Sequence, residues 1–568
     1  MYLDIVPNRN SPPAILLRES IRQGDKIIKR TLANLSSLTI EQAQQFRLIL
    51  KGKTLIEAQS HYEIIQSQPH GHVKAVLTAM KRLGLARLIH HQRCNERDLI
   101  MALIASRILN PESKLALSRS WDQSTLGALL DIEDASDDAL YAAMDWLFER
   151  QKAIETKLAK RHLNNGGRVL YDLSSSYFEG CHCPLAARGY SRDQKKGKLQ
   201  VNYGLMTDSR GCPVAISAFP GNTMDSKTLL DQVNRLQATF GLDSVVLVGD
   251  RGMISQKQID ELSGKSGIDW ITALRTGAIR KLVTTEAIQL SLFDEHNLFE
   301  FTHADFPAEK LVACRNPDLA IRRKRTRQSL LDATVKELEK VQAMISRGSL
   351  KDADKIGVRV GKVVNRYKMS KHFNLDIAAS HFNFEIDAVK VNEEAALDGI
   401  YVIRSSLTGT EVSAEEAVRH YKALSQVERA FRSMKTMDLE VRPIRHYQEN
   451  RVRTHLFICM LAYYVKWHMM EAWRPVLFAD DDQHAKHNQD PVATARRSDA
   501  AFAKITSKQL PDGSPVHSFQ SLLGNLSTIV RNHCRRQAAE IDEACFTIDT
   551  TPSPEQSRAL ELLNTIKM

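Results

Sequence analysis

Hydrophobic residues along this chain change their spacing near residue 165, and the predicted elements change with them. Residues 14–20 and 26–32 flank Arg22-Gln-Gly-Asp25, where Gly24 is free to take a positive φ, and read as a hairpin. Apolar positions at helical spacing follow over 40–50, 72–85 and 96–109, the last stopped by Asn110-Pro111. A longer helical stretch, 138–163, ends at Asn164-Asn-Gly-Gly167. Beyond that break, 169–173, 200–207 and 213–219 read as strands, the last two joined by the turn Asp208-Ser-Arg-Gly211. Pro220-Gly-Asn-Thr223 then leads into a helix through Leu236, with Asp225 or Ser226 as its N-cap. Residues 244–249 form a continuous apolar run, the pattern of a strand buried on both faces. A helix over 255–263 and a strand over 269–274 complete this part.

The order β-β-β-α-β-α-β, a meander followed by right-handed parallel crossovers, is that of a ribonuclease H-like sheet. An interruption follows: 275–396 reads as short strands around a helical hairpin with arms 325–346 and 353–367, turning at Arg347-Gly-Ser-Leu-Lys351. A strand over 399–404 and a long helix over 414–434 resume the core. An apolar helix around 452–470, a polar stretch rich in Asp, His and Asn, and helices near 518–531 close the chain. The predicted class is α/β: a ribonuclease H-like catalytic core interrupted by a mixed β/helical-hairpin insertion, with mainly helical N- and C-terminal regions. The expected domains are a hairpin plus helical region (1–164), the two parts of the core (165–275 and 397–475), the insertion (276–396) and a C-terminal helical region (476–568).

Composition narrows the function. A chain of 568 residues, 43% hydrophobic and 26% charged, is a globular protein of three or four packed units. Its net charge of +11 draws it toward polyanions, nucleic acid first among them. The eight cysteines form no disulfide framework at this length. Cys181-His182-Cys183 has the look of a zinc-site fragment, but no second Cys/His pair follows at finger or ribbon spacing, so reduced thiols are the expectation. The N-terminus carries no signal pattern, and the longest apolar run, 456–465, falls short of the roughly 18 residues of a membrane span. No membrane partner and a cytoplasmic location are expected.

Three acids stand where the predicted sheet would gather them. Asp172 lies in a short strand, where it is either a site residue or the cap of the turn Ser174-Ser-Ser176. Asp250 follows the buried run 245–248, at the carboxyl end of a parallel strand, where open α/β sheets place their sites; the alternative is a charge leaving the sheet for solvent. On the helix 414–434, Tyr421, Glu428, Arg432 and Lys435 share one face beside an apolar stripe of Leu424, Val427, Phe431 and Met434. The plainer reading is a solvated face with a Glu428–Arg432 pair. Three converging carboxylates repel unless cations sit between them, and hard oxygen ligands suit Mg²⁺ or Mn²⁺. Two such ions about 3.5–4 Å apart can drive in-line phosphoryl transfer. The run Arg322-Arg-Lys-Arg-Thr-Arg327 is either a solvated basic face or a phosphate contact. His446, Tyr447, Arg451, Arg453 and His455 follow the Glu428 helix and could line a channel, His455 being equally a hydrogen-bonded histidine beside the core.

Tyr421-x2-Leu-x3-Glu428-x6-Lys435 resembles the Tyr-x2-Arg-x3-Glu-x6-Lys signature of the insertion-sequence DDE transposases, members of the ribonuclease H-like superfamily. Asp250-Arg-Gly-Met253 looks like that family's second-Asp segment and Tyr171-Asp-Leu-Ser-Ser-Ser-Tyr-Phe178 like its first. The resemblance implies that Asp172, Asp250 and Glu428 are catalytic and bind two Mg²⁺ ions, for which Mn²⁺ substitutes. It implies that Tyr421 and Lys435 hold transposon-end phosphates. Leu424 replaces the signature Arg, and the helical wheel assigns the missing cation to Arg432. Arg322, Arg323, Lys324, Arg325 and Arg327 join the candidate DNA contacts. The implied partners are double-stranded DNA (terminal inverted repeats and target) and a second copy in a synaptic homodimer, in the nucleoid of a prokaryotic cell, with the N-terminal region recognising the transposon ends. The implied reaction is strand cleavage at the 3′ ends followed by strand transfer. The rivals are a nuclease of the same fold that does not join, and an inactive DNA-binding relative.

Overall fold

A computed structural model describes residues 1–9, 11–53, 62–289, 293–294, 297–408, 411–482, 489–536 and 545–567. The chain forms two compact units, Met1–Gln68 with Val530–Thr551, and Pro69–Ile529 with Pro552–Met568.

In the first unit the expected hairpin is Ala14–Gln23 with Lys26–Asn34, turning at Gly24 (φ +66°). Tyr2–Val6 adds a third antiparallel strand that local pattern did not predict. Helix Ile40–Leu50, started by a Thr39–Gln42 capping box, buries Ala43 with Leu3 and Ile15 as a small core. A second three-stranded sheet orders Phe546–Asp549, Val530–Arg536 and Tyr62–Pro69. The N- and C-terminal regions are therefore less helical than expected: the chain beyond Phe519–Ser527 turns into a strand, and helix Pro554–Leu562 comes later.

The second unit holds the main core. Its helical part includes Gly71–Arg82, Asn95–Leu109, Asp137–Phe148 and Gln151–His162, the last two replacing the single helix expected over 138–163. Through it runs Glu449–Ala472, buried on nearly every side from Val452 to Val465 by neighbouring helices and the sheet. A helix apolar all round belongs inside. Among the described residues no helix is long and apolar enough to cross a membrane.

The large sheet has eight strands in the order Leu298–His303, Phe306–Arg315, Ile400–Ser405, Ile268–Ala273, Val245–Val248, Gly167–Tyr177, Gln200–Asp208 and Pro213–Pro220. Gly167–Tyr177, Val245–Val248 and Ile268–Ala273 are parallel, and the other neighbours antiparallel. Two strands from the segment 276–396 thus extend this sheet beyond Ile400–Ser405. The rest of that segment has its own core, where Leu331, Leu338 and Val341 of Pro317–Ser346 meet Ile356, Val360 and Val364 of Ala353–Tyr367 over the hairpin Phe373–Ala378/His381–Ile386. The first arm begins at Pro317, earlier than residue 325, because the Asn316 side chain accepts the Leu319 N–H (2.9 Å) and proline suits the first helical position. Part of the polar stretch after residue 470 lies outside the described residues.

Candidate active site

Register brings the first two acids together. Gly167 faces Val245 and Leu170 faces Val248 in the parallel pair. The same offset sets Asp172 level with Asp250, just past the carboxyl end of the shorter strand. Neighbouring strands lie about 4.8 Å apart, so the two side chains flank one another. The strand carrying Asp172 continues to Tyr177, so there is no Ser174–Ser176 turn for it to cap; its Oδ1 accepts the Leu173 N–H at 2.8 Å. Asp250 does not simply trail into solvent either. Its Oδ1 accepts the N–H groups of Gly252 (3.0 Å) and Met253 (2.8 Å), which fixes the carboxylate over the turn after its strand.

Glu428 reaches the same place from a helix packed on the Asp172 strand. The predicted helix is two pieces, Ala414–Lys422 and Leu424–Arg432, meeting at Ala423, followed by a wider π turn over Ser433–Met437. Leu424, Val427, Phe431 and Met434 are buried as the stripe predicts, with Phe431 edge-on to Tyr203 at 5.7 Å between centroids. Glu428 and Arg432 are exposed on the adjoining face. The turn Asp208–Gly211 supports this helix from the sheet side. Gly211 takes φ +86°, and a Cβ there would lie 2.6 Å from the Gln426 Cβ, so only glycine fits on both counts.

The three acids line one open cleft of about 970 Å³ together with Arg432 and Lys435. They do not converge on a point: no choice of one oxygen from each places all three within 4.8 Å of one another. The Asp172 carboxyl is pushed up to about 7, first by burial and then by the neighbouring charge of Asp250, with the Leu173 N–H and Arg192 opposing and Glu428 adding a smaller push. Lys435 is buried on the π turn, its ammonium 3.2 Å from Asp193 Oδ1. Burial lowers its pKa and Asp193 works against that shift. The same buried carboxylate pairs with Arg442 and accepts the Tyr177 N–H (3.1 Å).

Other expected site residues lie elsewhere. Tyr421 is half-buried and does not line the cleft, although burial and the charge of Asp250 raise its hydroxyl to about 12. Arg322, Arg323, Lys324 and Arg325 are exposed on the helix Pro317–Ser346. Arg327 is a correction: it is buried and grips Asp398 through both guanidinium nitrogens (Nη1 at 3.0 Å), so it is not presented to a phosphate. None of the residues His446, Tyr447, Arg451, Arg453 and His455 after the Glu428 helix lines the acidic cleft, and Tyr447 is exposed. Arg451 is paired with Asp145 (2.8 Å) and Arg453 with Glu449 (2.6 Å), while His455 is buried against the Val441 carbonyl (3.0 Å). Cys181 and Cys183 are free, and with His182 they join no group of three metal donors among the described residues.

The irregular segment between Tyr177 and Gln200 supplies what sequence reading missed. Arg188 and Arg192 line the cleft beside Asp172, and Arg275 enters from the end of Ile268–Ala273. Arg192 holds Asp225 through two bonds of 2.7 and 2.6 Å, so Asp225 is an ion-pair partner rather than the expected helix cap. The only signal was the density of charge in Arg188-Gly-Tyr-Ser-Arg-Asp193, which has no period to place it.

A family model described as the transposase DDE domain matches residues 178–465. The chain belongs to the DDE transposases. A second model, the N-terminal domain of the IS1634 family transposases, matches residues 3–63, which marks the transposase as one of the insertion-sequence enzymes. The long match takes in Asp250, Glu428, Arg432 and Lys435 and starts just after the strand that carries Asp172. No curated protein matches the chain. A solved structure, the cryo-EM structure of the piggyBac transposase synaptic complex with hairpin DNA, is 10% identical, with 80% of this chain and 76% of that chain covered and a TM-score of 0.36, too distant a likeness to bear on the site.

Proposed function

We propose that Asp172, Asp250 and Glu428 are the catalytic acids of the transposase and hold two divalent ions, Mg²⁺ with Mn²⁺ as substitute. The observation that carries the reading is that Asp172, within its strand, and Asp250, just past the end of the adjacent parallel strand, line one cleft, with Glu428 entering it from the packed helix. The donor set fits such ions. All three donors are hard oxygens, and the Asp172 carboxyl resists ionisation beside Asp250, as expected where a cation is meant to complete the site. When bound, the ions would activate a water or a 3′-hydroxyl and stabilise the leaving oxygen of an in-line displacement.

The chain's own groups do the positioning. The Gly252 and Met253 N–H groups hold the Asp250 carboxylate, and the buried stripe of the Glu428 helix fixes where that acid enters. Arg432, exposed on the cleft wall, takes the phosphate role left by Leu424, which is buried and apolar. Lys435, held by Asp193, adds positive potential from below. We read the meander Gly167–Tyr177, Gln200–Asp208, Pro213–Pro220 with its two parallel neighbours as a ribonuclease H-like core, formed from 165–275 and 397–475 and interrupted by 276–396. The substrate in this reading is double-stranded DNA, cut at the element's 3′ ends and joined to a target.

A strand-transfer assay with terminal-repeat oligonucleotides and a plasmid target tests it. Joined products in Mg²⁺ are expected. Cleavage without joining identifies a nuclease instead, and end binding with neither reaction identifies a DNA-binding relative.

A further inference from the structure

A second cluster of donors lies apart from the acidic cleft. One donor atom from each of His162, Cys212 and His468 fits within 4.8 Å of the others, the only such trio among the described residues. The Cys212 Sγ lies 3.7 Å from His468 Nε2. A tetrahedral zinc with bonds of about 2.3 Å to sulfur and about 2.0 Å to nitrogen sets a sulfur–nitrogen edge of about 3.6 Å. The observed pair already stands at that spacing. Two imidazoles and a thiol are borderline-soft donors that suit zinc and not magnesium.

The trio is well braced. The Cys212 N–H donates to Asp208 Oδ1 (3.0 Å), which anchors the sulfur-bearing residue to the turn. The Tyr464 hydroxyl, 3.1 Å from His162 Nε2, orients that ring as outer-shell partners of metal-binding histidines do. Two of the cations lining this region, Arg210 and Arg161, are engaged elsewhere. Arg210 is bound to Asp208 (2.9 and 2.7 Å) and lies over Trp467, and Arg161 donates to the Leu83 carbonyl (3.0 Å). Beside the trio opens a cavity of about 350 Å³ lined by both histidines and by Glu471, one turn beyond His468 on the same helix. It shares no residue with the acidic cleft.

We propose that His162, Cys212 and His468 form a zinc site separate from the catalytic cleft, with the fourth position open to the cavity. Zinc binding converts the Cys212 thiol to a thiolate and releases one proton to solvent. The ligands come from the last residue of helix Gln151–His162, the residue before strand Pro213–Pro220, and the long helix Glu449–Ala472. The ion therefore clips the helical part to the sheet edge and to the helix between them, and its binding energy adds to the stability of the fold.

Cobalt(II) titration of the full-length, chelator-stripped protein in excess Mg²⁺ tests the site. A thiolate-to-cobalt charge-transfer band saturating at one equivalent is expected, displaced by Zn²⁺, absent in Cys212→Ser and needing at least tenfold more cobalt in His468→Gln. The variant Cys181→Ser/Cys183→Ser, outside the trio, keeps the band, which also provides a comparison if Cys212→Ser does not fold. No band in the wild type, a band that survives Cys212→Ser, or loss of the band in Cys181→Ser/Cys183→Ser overturns the proposal.

Discussion

Replacing Asp172 by asparagine should stabilise the metal-free transposase while destroying its chemistry. An aspartate in the unfolded chain titrates near 3.8, and in the cleft Asp172 is pushed up to about 7. The direction decides the sign. Between these values the folded chain keeps a proton that the unfolded chain has lost, so this group's contribution to stability falls as pH rises through the window and is gone above the folded value. At about 1.4 kcal/mol per pH unit, the displacement of about three units corresponds to roughly 4 kcal/mol at pH 8. Asparagine keeps an oxygen for the Leu173 N–H and carries no charge to desolvate beside Asp250. In EDTA at pH 8, Asp172→Asn should therefore melt above the wild type, and the gap should close as the pH is lowered to 4. Adding Mg²⁺ should raise the wild-type midpoint and leave the variant nearly unmoved, because the ion takes the place of the proton. The assay is differential scanning of both proteins from pH 4 to 8, with and without Mg²⁺. A variant that melts below the wild type at pH 8, or a gap independent of pH, would refute the reasoning.

Three other perturbations probe the supports of the cleft. Asp193→Asn leaves Lys435 and Arg442 without their shared buried partner and should cost about 3–5 kcal/mol in thermal or urea unfolding; a wild-type midpoint would mean that the two cations are not held through Asp193. Gly211→Ala meets both a left-handed backbone and the Gln426 Cβ, so a loss of about 1–2 kcal/mol or more is expected, together with slower end cleavage as the Glu428 helix shifts; an unchanged melt would show that the turn yields freely. Arg432→Ala should weaken binding of transposon-end DNA and cleavage at least tenfold, whereas Arg327→Ala should lower stability and leave the salt dependence of DNA binding unchanged. Equal end binding by Arg432→Ala and the wild type would move the lost signature cation to another residue.

What could be read from sequence depended on whether the deciding pattern was local. The stripe Leu424, Val427, Phe431 and Met434 is local, and it placed Glu428 and Arg432 on the correct face. Asp172 could be put in a strand and Asp250 at a strand end, but their alignment depends on a register between strands 78 residues apart, visible only once Leu170 faces Val248. The strand Tyr62–Pro69 escaped because its sheet partners lie near the far end of the chain. The helix start at Asn316-Pro317 is legible from cap chemistry, whereas the basic run that follows marks no boundary. Arg192 and Asp193 sit in an irregular loop, where no periodicity says which charge turns inward. Arg327 shows the converse: a run of like charge hid one arginine committed to a buried pair with Asp398.

The most direct test of the three-acid site is single-turnover cleavage of a terminal-repeat DNA by Asp172→Asn, Asp250→Asn and Glu428→Gln, with end binding measured on the same preparations. The account predicts that each variant binds the DNA yet cleaves at least a thousandfold more slowly than the wild type in Mg²⁺. Cleavage at the wild-type rate by Asp250→Asn or Glu428→Gln would contradict it.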